Sequence, residues 1–111
     1  MSDVLRQGRL TDDARAGIAR DGGWQLRVEF SPPHTPTGRA RRYVAVKQYG
    51  SGEAAALVCK HAARSLKRGV LVRVHAAAED DKRGRSWLHD VQRIEAPDMP
   101  PPAWVGRNDK D

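Results

Sequence analysis

Apolar and polar residues alternate most regularly over positions 24–30, where Trp24, Leu26, Val28 and Phe30 share one face and Gln25, Arg27 and Glu29 the other. A period of two is that of a half-buried strand, and this stretch is the clearest strand in the chain, its Trp24 reading as core. Residues 43–49 alternate too, with Val44 and Val46 as the inward set and Tyr43, Lys47 and Tyr49 together on the opposite face. Residues 4–10 form a shorter, mixed first strand that ends at the turn-like Thr11-Asp12-Asp13. Between positions 52 and 67, Ala54, Leu57, Val58, Ala62 and Leu66 recur at spacings of three and four, which predicts a helix capped by Ser51 and closed near Gly69. Val70, Val72 and Val74 then alternate with Leu71, Arg73 and His75 as a fourth strand, followed by a charged turn over residues 79–85 around Gly84. Residues 86–95 make a fifth strand, whose Leu88, Val91 and Ile94 break the two-residue period and so imply a bulge.

Residues 31–42 hold Pro32, Pro33, Pro36 and Gly38 before the run Arg39-Ala40-Arg41-Arg42, a basic loop by composition. Residues 97–111, with Pro97, Pro100, Pro101, Pro102 and Trp104, are expected to form a Pro-rich, disordered tail after a domain spanning 1–96. Three strands, one helix and two strands predict an all-β chain, a five-stranded OB-fold barrel with one helix between strands 3 and 4. A split β-α-β arrangement would need an earlier helix, for which residues 1–50 offer no period.

At 111 residues the chain is the size of one domain, and twenty Lys and Arg against fourteen Asp and Glu leave a net charge of +6. That balance attracts polyanions such as nucleic acid without choosing among them. Cys59 is the only cysteine, so no internal disulfide forms. With no long apolar run or leader pattern, a reducing cytoplasmic setting is expected. Cys59 reads as a small buried hydrophobe on the helix. His34, His61, His75 and His89 are scattered over a loop, a helix and two strands with no metal-ligand spacing, while Gly22-Gly23 and Gly50-Ser51-Gly52 read as turns. No constellation suggests an enzyme, a metal or a cofactor.

Several stretches in order resemble the bacterial single-stranded-DNA-binding protein family and its shorter relatives among primosomal replication proteins. They are residues 4–15 (VLRQGRLTDDAR), Gly22-Gly23, the aromatic-led strand 43–50 closing in Tyr49-Gly50, and residues 66–74 (LKRGVLVRV). The resemblance covers about residues 3–96. It implies non-catalytic binding of single-stranded DNA in replication, recombination or repair, a homo-oligomer (dimer or tetramer), and contact with DNA through Tyr43 and Tyr49. The family's β4–β5 hairpin carries basic and aromatic residues, whereas here Ala76-Ala77-Ala78-Glu79-Asp80-Asp81 precede Lys82-Arg83-Gly84-Arg85. The family's acidic tail tip has no counterpart in residues 104–111, which suggests a short, tail-less member.

Single strands are held by aromatic platforms that stack bases and by cations that neutralise phosphates. Tyr43 and Tyr49 suit the first role, with Lys47 between them, and Trp87 either stacks a base or covers the barrel end. Arg27, Arg73, Arg39, Arg41, Arg42, Lys82, Arg83 and Arg85 are the candidate phosphate contacts, their strength lying in the group. The competing reading is an OB-fold protein-protein interaction module of a replication or recombination complex, favoured by the acidic run 79–81.

Overall fold

The computed structural model describes residues 3–32 and 42–99. Its elements, in chain order, are β1 (Val4–Leu10), β2 (Arg15–Ile18), β3 (Trp24–Ser31), β4 (Arg42–Gly50), α1 (Glu53–Ser65), β5 (Leu71–Lys82) and β6 (Arg85–Glu95). The alternation in β3 does what its period requires: Leu26, Val28 and Phe30 are fully buried, and Trp24 is half-buried against the same core. Val72, Val74 and Ala76 of β5, Leu88 of β6 and Leu10 of β1 complete the apolar interior.

Hydrogen bonding runs β1-β5-β6-β4-β3, and β3 returns to β1 through Arg9↔Ser31 and Leu10↔Phe30, closing a five-stranded barrel. All pairings are antiparallel except β4 with β6, which run parallel over Arg42–Ala45. The free half of β3 takes β2 as an extra edge strand. This is the OB-fold barrel with its single helix between the third and fourth barrel strands. In chain order the helix follows β4, because the short edge strand β2 adds one to the count. The sequence RAGI offers no apolar alternation, and β2 forms because β3 presents an open edge beside it.

Three local expectations change. Helix α1 starts after Gly52, whose φ of 100° suits glycine, and no side chain caps it, so Ser51 does not serve as the cap. The helix closes one end of the barrel with Cys59, Ala62 and Leu66, whereas Leu57 points outward at 57% exposure. The alanines at 55, 56, 62 and 63 make a narrower face than Leu57 and Val58, and that face approaches the strands closely. The acidic run 79–81 lies inside β5, and the turn shrinks to Arg83-Gly84, whose φ values of 54° and 78° are those of a two-residue hairpin.

The bulge expected in the last strand is present. Between His75 and Ala76 the partner strand advances by two residues, from Arg93 to Val91, leaving Gln92 as the extra residue of β6. Beyond it, Glu95 receives His75 Nε2 at 3.1 Å and Arg93 at 3.2 Å, and Arg73 lies 3.9 Å away. The His75 hydrogen bond, with help from the two arginines, holds the Glu95 carboxyl below its ordinary value of 4.5. A depressed folded value means the stabilisation is in place above the ordinary value and is lost as pH falls through the folded one. Glu95→Gln is therefore expected to lower the urea midpoint modestly at neutral pH and to converge with the parent in acid. A constant gap down to pH 2.5, about two units under the ordinary range, would contradict this.

Candidate nucleic-acid interface

Cross-strand register puts Arg27 beside Val46, Glu29 beside Val44, and Val44 beside Trp87. Directly paired residues share a face, and this one is the outer face of β3, β4 and β6. Trp87 is half-buried there, with the Arg27 guanidinium over its ring at 5.4 Å from the centroid. The same guanidinium donates to Glu29 Oε2 at 3.1 Å, which fixes it in place. Val44 sits in the sheet between the two and is fully buried although it lies outside the core cluster. Arg15 pairs with Arg27, Arg42 with Arg85, and Lys82 with Arg85, so these cations project on the same side, against Glu29 and Asp80.

Beside Trp87 the sheet opens. Parallel pairing of β4 with β6 stops at Ala45↔Leu88, and beyond it the strands part. The gap is a groove of about 470 Å³ lined by Val46, Gln48, Trp87, His89, Asp90 and Gln92, among others. That is within the range of small-molecule sites. Two features of β6 bend it away: the extra residue Gln92, and Asp90, a non-glycine residue at a φ of 52°. Lys47 crosses the gap and donates from Nζ to the Gln92 carbonyl at 3.1 Å. Burial lowers its ammonium below the ordinary value.

The aromatic pair on β4 is placed differently from the sequence expectation. Tyr43 pairs with Phe30, Ala45 with Val28 and Lys47 with Leu26, so the row with Tyr43, Lys47 and Tyr49 faces the barrel interior, and Val44 and Val46 face out. The two sets are easily exchanged in sequence because Val44 and Ala45 are both fully buried. Tyr43 stacks on Phe30 at 5.3 Å between centroids, with the Arg6 guanidinium 5.8 Å from its ring. Tyr49 lies six residues along the strand, about 20 Å away at strand rise. Burial, with a smaller contribution from Cys59, pushes its hydroxyl up to about 12, and the Lys47 ammonium sits 5.2 Å from its ring. The two tyrosines share a row, but both rings are partly buried and pack against the core.

Of the remaining candidates, Arg27, Arg42, Lys82, Arg85 and Trp87 come together on the outer face. Arg83 occupies the hairpin tip, and Arg73 lies on the β1–β5 side, bonded to Gln7 Oε1 at 3.0 Å. Arg39 and Arg41 lie outside the described residues, as do His34 and the stretch from Pro100 to Asp111 with Trp104. Val46, Gln48, Asp90 and Gln92 were not among the candidates, and the broken period around Val91 is the sequence signal nearest to them. The acidic run is engaged within the fold: Glu79 accepts from Arg6 Nε at 3.2 Å, Asp81 from Ser86 Oγ at 2.8 Å, and Asp80 lies 3.7 Å from His89. Cys59 is fully buried, its Sγ 3.1 Å from the Gln25 carbonyl, and burial raises its thiol.

Among the described residues no group of three or more His, Cys, Asp or Glu converges to hold a metal ion, and no helix is long and apolar enough to cross a membrane. No protein-family model matches the chain, and no curated protein does. Solved structures do. The SSB domain of a Synechococcus protein superposes with a TM-score of 0.61 at 15% identity, over 85% of this chain and 93% of that one. The single-stranded DNA binding protein of Thermus aquaticus gives 0.58 at 17% identity, over 92% of this chain but only 43% of that one. The mitochondrial single-stranded DNA binding protein Rim1 of S. cerevisiae gives 0.59 at 16%, over 85% and 91%. At these identities it is the fold that is shared: the chain is built on the same OB barrel as these single-stranded-DNA-binding proteins.

Proposed function

We propose that the chain binds single-stranded DNA, without chemistry on it, across the outer face of β3, β4 and β6. The observation that carries this reading is the pairing of Trp87 with Arg27 on a cationic face beside an open groove. An unstacked base finds a π-surface in Trp87, and Arg27, Arg42, Lys82 and Arg85 lie where phosphates on either side would pass. Duplex bases are already stacked and paired, so the platform favours single strands. The names borne by the fold neighbours support the same partner. A cytoplasmic role in replication, recombination or repair, as a homo-oligomer that lengthens a short binding path, completes the proposal.

Titration of a long oligo-dT and a matched duplex tests it, with tighter binding to the single strand expected. Equal or absent binding to both would overturn the reading. Four phosphate contacts predict that log affinity falls with log salt at a slope of about −3. A slope near zero would mean that the cations on this face do not meet phosphates.

A further inference from the structure

We infer that the groove between β4 and β6 is a base-reading subsite that prefers guanine, through the Asp90 carboxylate; the inference rests on the single-strand reading above. Three observations meet here. Trp87 lines the groove, so a base stacked against that ring lies beside the rest of the lining. Asp90 lines the same groove, and its carboxylate has no hydrogen bond or ion pair among the described residues. Its backbone is left-handed at a φ of 52°, a conformation non-glycine residues adopt at a cost and Asp more readily than most. A chain with net charge +6 thus places an acid with no partner among the described residues beside its own stacking platform.

An acid there repels phosphate, so its use must be toward a donor. Guanine alone among the DNA bases offers two adjacent donors on its pairing edge, N1–H and the 2-amino group, and an ionised carboxylate accepts both. Thymine sets a carbonyl on each side of its one N–H, and those carbonyls face the carboxylate unfavourably. Adenine and cytosine place a single amino donor beside an acceptor nitrogen. Gln92, on the same lining, brings an amide of the kind that donates to guanine O6. Gln92 is the extra residue of the β6 bulge, and Asp90 lies two residues before it on the same lining.

The test uses dT oligonucleotides of one length carrying a single central dG, dI, dA or dC, titrated into the parent, Asp90→Asn and Asp90→Gly. Glycine relieves the left-handed backbone, so that variant is expected to fold at least as well as the parent. The parent should bind the dG oligonucleotide about tenfold more tightly than all-dT, within what one bidentate base contact supplies. Inosine, which lacks the 2-amino group, should lose most of that preference, and the dG-to-dT ratio should fall to about one in Asp90→Gly. A parent that binds all-dT but gains nothing from dG, or a preference that survives in Asp90→Gly, overturns the base-reading inference and leaves single-strand binding standing. Failure of the parent to bind any of the oligonucleotides overturns both.

Discussion

Gly8→Ala is expected to prevent the barrel from closing. Gly8 is buried on β1 where that strand leaves β5 and crosses to the end of β3. A Cβ built there falls against the Ser31 carbonyl oxygen, well inside contact, and meets Phe30 Cδ2 at 3.0 Å. The obstacle is backbone, which no rotamer change can clear, and Phe30 is itself packed on Tyr43. Relief requires β1 and β3 to separate at the two register pairs that join them among the described residues. Overpacking of this kind costs about 3 kcal/mol or more, a large share of the roughly 5–15 kcal/mol of a small domain. Urea unfolding followed by circular dichroism should show the variant largely unfolded or shifted to a far lower midpoint. A midpoint within the error of the parent's would mean that the strands do not close here as described.

Trp87→Ala is expected to weaken binding to oligo-dT by about 1–3 kcal/mol, the worth of one base stacked on an aromatic ring. The same change uncovers Val44, so Trp87→Phe is the needed companion: it keeps an apolar cover and should retain part of the affinity. Arg27→Ala should act in two ways, removing the cation from the Trp87 ring and one phosphate contact, and so flattening the salt slope by about one. Tyr43→Phe keeps the ring on Phe30 and should leave affinity within about 0.5 kcal/mol of the parent, as for a substitution away from the site. If the order is reversed, with Tyr43 sensitive and Trp87 silent, the strand runs over the barrel mouth and the outer face is not the site.

The barrel was legible because its clearest strand, β3, has one covered face, and period two then reports the fold directly. β4 misled for the opposite reason. Its centre is covered on both sides, by the core over Ala45 and by the Arg27–Trp87 pair over Val44, so valines mark neither face as inward. Edge strand β2 carries no pattern, since it contributes little to the core, and Leu57 looked internal because spacing alone cannot weigh leucine against a tighter face of alanines. The acidic run resembles a turn in sequence because charge usually accompanies exposure. In the fold each acid has a partner three or more residues away in sequence, from Arg6 to Ser86 and His89. Individual cations of the site were legible as types, while their convergence depends on register. The groove has no direct signature at all: it exists where parallel pairing ends, a property of two strands whose paired residues lie 43 positions apart in the chain.

The indole N–H resonances of Trp87 and Trp24 report directly where the bound strand lies. Trp24 packs at the helix end of the barrel beneath Lys60, 5.1 Å from its ring, away from the proposed face. On titration with oligo-dT into labelled protein, the Trp87 indole resonance should shift strongly, together with backbone amides of Arg27, Val46 and His89, while the Trp24 indole stays in place. Saturable binding that leaves the Trp87 indole unmoved would contradict the account.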